Sequence, residues 1–200
     1  MAELSGAKNY FLFTKEKEDF CIDVKKIIPY VPKVDLILLC NPNNPTGYLL
    51  EKRPLINLAR ICEQNKTYLV IDEVFMDFVD NEKEFSLLRD SIKSKHLLIL
   101  RSFTKFFSLP GLRIGYLTGN VETVKKISSF QPAWSVNSLA QEVVKEGLKQ
   151  GYFIEQTKKY LKREKEFLFN KLRVIKGIKP YYPNANFIFC KILSKNMDSK

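Results

Sequence analysis

At 200 residues and 45% hydrophobic content, the chain suffices for one full-sized core, or for one domain and part of another. It holds no run of about 18 uncharged apolar residues, which excludes a transmembrane helix, and Met1 opens into no positively charged, apolar signal sequence. The net charge is +11, but basic and acidic residues interleave, so it reads as a lysine-rich solvated surface; a non-catalytic basic nucleic-acid-binding module stands as the reading from another class.

In chain order, residues 2–8 read as the tail of a helix with Gly6 near its end, and Tyr10 to Phe13 as a weakly alternating strand. Ile22 to Ile28 reads as a short amphipathic helix stopped by Pro29. Leu36-Ile37-Leu38-Leu39-Cys40 is continuously apolar, as a strand covered on both faces should be. It runs into Asn41-Pro42-Asn43-Asn44-Pro45-Thr46-Gly47, where two prolines and a glycine forbid regular structure. Glu51 to Asn65 is a helix with Leu55, Leu58, Ala59 and Cys62 as its apolar stripe. Thr67 to Ile71 is the next buried strand and ends in Asp72-Glu73. Alternation sends these two carboxylates to opposite faces, so they make a poor general acid–base pair.

Asp90 to Lys95 reads as a helix end. His96, the one histidine, lies at its junction with the strand Leu97 to Leu100 and reads as a surface or satisfied side chain. Another strand spans Ile114 to Leu117, and a short helix Val121 to Ser128. Ser138 caps a helix running to about Gln150, Gly151 breaks the pattern, and a long charged helix follows over about 152–175, with Tyr160, Leu161, Phe167, Leu168 and Leu172 on one side. Gly177 ends it, and Asn186 to Cys190 alternates into a strand. The four cysteines (Cys21, Cys40, Cys62, Cys190) are scattered with no C-x-x-C, which argues against a metal site or disulfide framework and suits a reducing, cytoplasmic setting.

Strand–loop–helix alternation of this kind specifies an α/β fold with an open, mainly parallel central sheet and flanking helices. Sites in such sheets lie at the carboxyl ends of strands, where Asn44, Asp72 and Lys105 all fall. Ser102-Phe103-Thr104-Lys105 and the following Pro110-Gly111-Leu112-Arg113 sit between two apolar runs. A lysine at the end of a buried strand loses hydration, which lowers its pKa, and a neutral amine is what a Schiff base requires. The hydroxyl of Ser102 and the guanidinium of Arg113 suit a phosphate. Ser-x-x-Lys alone is an ordinary surface motif; the surrounding string makes it specific.

That string closely resembles the cofactor-lysine segment of class I/II aminotransferases, the fold-type-I pyridoxal-phosphate enzymes. Asn41 to Gly47 and Asp72-Glu73-Val74-Phe75 resemble two further signatures of the family. The resemblance implies a large cofactor-binding domain over 1–150, then a connecting helix and the start of a small α+β C-terminal domain over 151–200. It implies pyridoxal 5'-phosphate as cofactor, bound covalently by Lys105. Ser102 and Arg113 would hold its phosphate, Asn44 its phenolic oxygen and Asp72 its ring nitrogen. Many members carry tyrosine where this chain has Phe75, so one contact to the phenolic oxygen is missing. The resemblance is incomplete at both ends, which reads as a fragment inactive alone. Within the family, D-E-x-F, T-K-F-F-x-L-P-G-L-R and W-S-V-N resemble threonine-phosphate decarboxylases of cobalamin synthesis, which form (R)-1-amino-2-propanol phosphate. Histidinol-phosphate aminotransferases, the alternative, usually carry tyrosine at 75 and alanine at 110. Either implies a small phosphorylated amino-acid substrate and a homodimer at full length, with no nucleic-acid or membrane partner.

Overall fold

The computed structural model describes residues 5–193. Three apolar segments pair as parallel strands, β1 (Leu36–Cys40), β2 (Tyr68–Asp72) and β3 (Leu97–Ser102); β4 (Gly115–Thr118) returns antiparallel to β3, and the sheet order follows the chain. Helix α1 (Lys52–Asn65) makes the crossover from β1 to β2. Pro54 lies in its first turn, where a missing N–H is tolerated. Lys66 ends it in the left-handed conformation, its N–H donating to the carbonyls of Cys62 and Glu63. Leu55, Leu58 and Cys62 of α1 are buried against Leu69, Ile71, Leu97 and Ile99 of the sheet, and this is the core. The α/β architecture with a mainly parallel sheet is thus as the sequence predicts.

Several local expectations change. The segment Ile22 to Ile28 forms no α-helix. It folds into 3-10 turns at Val24–Lys26, capped by the Asp23 carboxylate, and at Ile28–Lys33, which Pro29 opens rather than stops because its fixed φ suits a first turn. Val24, Ile27 and Val31 still reach the core. Tyr10 to Phe13 forms no strand and is exposed. The predicted helix over 2–8 lies partly outside the described residues. β1 is an edge strand covered on one face only, since Leu36 and Leu38 are 53% and 64% exposed.

Past β3, chain reversal runs through the short α3 (Phe103–Phe106) to β4, after the equally short α2 (Leu88–Ser91) that precedes β3. Helices α4 (Val121–Ser128), α5 (Ser138–Lys149) and α6 (Gly151–Arg173) follow. The cap of α5 is Asn137, whose Oδ1 accepts from the Ala140 N–H at 2.8 Å, and not Ser138, which is its first helical residue. The break precedes Gly151 and falls at Gln150, and α6 carries no buried residue: Tyr160, Phe167 and Leu168 stay exposed. The last strands, β5 (Ile178–Pro180) and β6 (Cys190–Ile192), form an antiparallel pair; Asn186 to Phe189 leads into β6 without joining it. The N-terminal segment docks on this pair through the Phe20 ring, 5.3 Å from Tyr181 and 5.4 Å from Phe189, and through Glu16–Lys191 and Asp19–Lys179 ion pairs.

Gly115, where β4 faces the end of β3, leaves no room for a side chain: a Cβ would meet the Arg101 carbonyl oxygen at 2.6 Å. Gly111, in the turn before it, would meet nothing within 4 Å. Gly115→Ala should therefore destabilise the fold by about 1–3 kcal/mol, as overpacking against backbone does, while Gly111→Ala should change the unfolding midpoint in urea hardly at all.

Candidate active site

Register and alternation sort the strand ends. Leu38, Val70 and Leu98 share one face of the sheet; Leu39, Ile71 and Ile99 share the other, against α1. Carried on to the carboxyl ends, the first face presents Cys40, Asp72 and Ser102. The second presents Asn41, Glu73 and Arg101, all buried. The ladder continues past the strands, with the Asn41 N–H donating to the Asp72 carbonyl and the Glu73 N–H to the Leu100 carbonyl, both at 2.9 Å. The two consecutive carboxylates therefore part to opposite faces, as alternation predicts.

On the first face, Asp72 is half-buried. Its Oδ1 accepts from the Val74 N–H at 3.0 Å, and among the described residues its second oxygen has no hydrogen-bond partner. Burial raises the pKa of the neighbouring Cys40 thiol; the backbone N–H of Asn44 opposes that rise and the charge of Asp72 adds to it. One sulfur thus senses both the Asn44 loop and the Asp72 carboxylate. Gly47 closes that loop at φ 71, a left-handed conformation open to glycine, and its carbonyl accepts from Asn184 Nδ2 at 2.9 Å. The Asn44 side chain is exposed.

Ser102 ends β3 and caps α3, its Oγ accepting from the Thr104 N–H at 3.2 Å. The Ser102 and Thr104 hydroxyls lie 2.7 Å apart, and Ser102 Oγ also donates weakly, at 3.5 Å, to the carbonyl of Ile114, the residue after Arg113. The Arg113 guanidinium is exposed and spends one donor on the Pro110 carbonyl at 3.2 Å, which leaves most of its N–H groups for an anion. Lys105 departs from expectation. It stands on α3 beyond the strand end and is exposed, so the predicted loss of hydration does not occur. It opens onto a cleft of about 430 Å³ lined also by Phe106, Tyr152, Gln156 and Tyr160. Asn44, Asp72 and Ser102 are thus gathered at one carboxyl edge, and Arg113 precedes Ile114, whose carbonyl Ser102 meets. No contact among the described residues joins Lys105 to the Asp72 carboxylate. His96 is half-buried against the Tyr68 ring, and its Nδ1 lies 3.2 Å from Glu63 without making a hydrogen bond.

The donor set matches pyridoxal phosphate group by group: an amine for the aldehyde, an aspartate with an open oxygen for the ring nitrogen, and a hydroxyl and guanidinium for the phosphate. Phe75, three residues past Asp72, packs edge-on against Phe187 at 5.0 Å and so belongs to an aromatic cluster.

The second face was not visible from motifs. Glu73 is fully buried and accepts from Ser86 Oγ at 2.6 Å, from the Leu87 N–H at 2.9 Å and from Arg101 Nε at 3.0 Å. Arg101 also meets Asp77 at 2.7 Å and Glu82 at 3.7 Å. A usable signal did exist: opposite charges stand immediately after the apolar cores of two successive strands. Burial pushes the Glu73 carboxyl above its ordinary value, against the pull of Arg101, Ser86 and the Leu87 amide. Burial likewise pushes Asp77 up to about 6, opposed by Arg101 and aided by Glu82.

A family model described as aminotransferase class I and II matches residues 1–200. The chain is 34% identical over 181 residues to the histidinol-phosphate aminotransferase of Caldanaerobacter subterraneus subsp. tengcongensis, covering 90% of this chain and 49% of that protein. Among solved structures it is similar to the histidinol-phosphate aminotransferase of Clostridium acetobutylicum (32% identity, TM-score 0.84, 98% of this chain and 58% of that one). It is also similar to the L-threonine-O-3-phosphate decarboxylase of Porphyromonas gingivalis (28% identity, TM-score 0.71, 80% and 48%). The chain spans about half the length of the curated relatives it matches.

The Asp77 shift has a sign that stability measurements can read. Its pKa is higher folded than unfolded, so its stabilising contribution is complete below about pH 4 and is lost as pH rises through about 6. The side chain is 31% exposed, so solvent screening limits the effect to on the order of 1–2 kcal/mol. Relative to Asp77→Asn, the parent chain should lose about that much stability between pH 4 and 7.5 in urea unfolding. Parallel pH profiles for the two would show that Asp77 carries no such shift.

Proposed function

We propose, for a chain that belongs to the class I and II aminotransferase family, that it supplies the cofactor-holding half of a pyridoxal-phosphate enzyme. The observation carrying this reading is the common carboxyl edge of three parallel strands, which gathers the Asn44 loop, Asp72 and Ser102 within two residues of aligned strand ends or their adjoining loops. The family is pyridoxal-phosphate-dependent, and the residues present suit that group. Lys105 would bind it covalently, Asp72 would hold its ring nitrogen protonated, Asn44 would donate to its phenolic oxygen, and Ser102 and Arg113 would take its phosphate. When bound, the cofactor supplies a sink for the electron pair left when a bond to the amino acid's Cα breaks. Asp72 strengthens that sink by keeping a positive charge at the nitrogen. Lys105, exposed on an accessible helix turn, would also serve as the base and acid that moves a proton at the substrate's Cα.

For the reaction itself we favour decarboxylation of L-threonine O-3-phosphate, on D-E-V-F at Asp72 to Phe75, T-K-F-F-S-L-P-G-L-R at Thr104 to Arg113, and W-S-V-N at Trp134 to Asn137. Phe75 supports it: its ring is committed to Phe187 and offers no hydroxyl to the cofactor. Transamination of histidinol phosphate is the second reading, favoured by the identities of 34% and 32% to aminotransferases of that name. We further propose a homodimer.

In the protein carrying this chain, added pyridoxal phosphate should give an absorbance band near the visible edge that borohydride bleaches, and Lys105→Ala should abolish it. Asp72→Asn should keep the band and lower turnover by about 10²–10³-fold, the scale of one lost electrostatic contact. Carbon dioxide release from threonine phosphate supports the decarboxylase. Turnover of histidinol phosphate that needs an added 2-oxo acid supports the aminotransferase. Steeply salt-dependent DNA binding with no absorbance band would replace both with the nucleic-acid reading.

A further inference from the structure

We propose that the buried Glu73–Arg101 ion pair is a positioning element, holding the carboxyl ends of β2 and β3 in the register that keeps Asp72 and Ser102 on one face of the sheet. This rests on the proposed use of those two residues by the cofactor. Chain order supplies the leverage. Glu73 directly follows Asp72, and Arg101 directly precedes Ser102. Each pair parts to opposite faces, so the rear residues are locked while the front ones face outward. The lock is fully satisfied: the Glu73 carboxylate takes the Ser86 hydroxyl, the Leu87 amide and two guanidinium nitrogens of Arg101, each at 3.0 Å or less. Arg101 reaches on to Asp77 in the 3-10 turn Met76–Phe78. A slip of one strand end past the other would strip these buried charges of their partners. Past the last paired residues of β2 and β3, the backbone adds the Glu73 N–H to the Leu100 carbonyl, while the Asn41 N–H ties the end of β1 to the Asp72 carbonyl. Ser102 in turn caps the helix bearing Lys105, so the constraint passes to the amine through one hydrogen bond and one turn.

The test compares Glu73→Gln with Ile99→Val, a core change on the α1 face of β3 that touches none of these charges. Amide hydrogen exchange in the protein without cofactor reads the strand ends; pyridoxal-phosphate affinity and the absorbance maximum of the bound cofactor read the site. Glu73→Gln should speed exchange at residue 73, Asn41 and Ser102 about tenfold beyond that at Leu69 and Leu97. It should also weaken cofactor binding by about ten- to a hundredfold and move the absorbance maximum, as misplacement by a fraction of an ångström does. Ile99→Val should do neither. Ser86→Ala, which removes one donor and keeps both charges, should give the same pattern more weakly, and replaces Glu73→Gln if that variant does not fold. Uniformly faster exchange across the sheet would overturn the proposal. So would loosened strand ends with cofactor affinity and spectrum unchanged. If the parent protein takes up no pyridoxal phosphate, the functional reading fails by itself, and the exchange pattern alone decides on the lock.

Discussion

A guanidinium taken out of water must be met by charge and hydrogen bonds together, and Arg101 is met by both. Its side chain is 4% exposed, and it lies within 3.0 Å of Glu73 and 2.7 Å of Asp77. Desolvating such a pair costs several kcal/mol per ion, which only close geometry offsets. The arrangement is therefore better understood as a constraint than as a source of stability. Apolar residues of the same volume would fold the sheet as well or better, but they would tolerate a slipped register, and an ion pair with fixed donors does not. Removing Arg101 would leave the buried Glu73 without its cation, which costs about 3–5 kcal/mol.

The same cluster carries an excess of acid. Glu73, Asp77 and Glu82 all approach one cation. Three carboxylates share it with mutual repulsion, and the carboxyl of Asp77 is pushed to about 6 chiefly by burial, against Arg101 and with smaller help from Glu82 and Glu73. Glu73 keeps the guanidinium's Nε, the Ser86 hydroxyl and a backbone amide, and it is the deeper of the two. Asp77 holds a single close nitrogen and sits nearer to water. The better-satisfied carboxylate thus stands at the contact between β2 and β3, which is where register is decided.

What the sequence could show follows from the range of the forces involved. Continuous apolar runs made β1, β2 and β3 readable, and Leu55, Leu58 and Cys62 at helical spacing made α1 readable, because burial of a periodic face is written locally. Pro29 misled because its fixed φ serves to open a turn as well as to stop one. Ser138 and Asn137 differ by one position, within the range that capping rules alone leave open. The open face of β1 could not be read, since Leu36 and Leu38 are as apolar as a covered strand would be and only the sheet order exposes them. Asn44, Asp72, Ser102, Lys105 and Arg113 were picked out by motif. Glu73 and Arg101 were not, because their pairing depends on register across residues 28 apart in the chain. The exposure of Lys105 was missed for a related reason: Ser102 ends the strand by capping a helix, so the lysine turns out of the sheet before its hydration is lost.

Phe75 joins the two ends of this construction. It stands three residues past Asp72 and meets Phe187 at 5.0 Å and, more loosely, Phe78 at 6.4 Å. Phe78 meets Phe106 at 5.4 Å, and Phe106 is the residue after Lys105. A line of rings therefore runs from the segment before β6, across the end of β2, to the turn that carries the amine. Edge and tilted pairs of this kind contribute about 0.5–1.5 kcal/mol each beyond their burial. A tyrosine at 75 would add a hydroxyl, and the edge-on seat against Phe187 would have to leave that hydroxyl a polar partner or water. Phenylalanine needs neither. The position then contributes packing between the strand-end acid and the lysine turn.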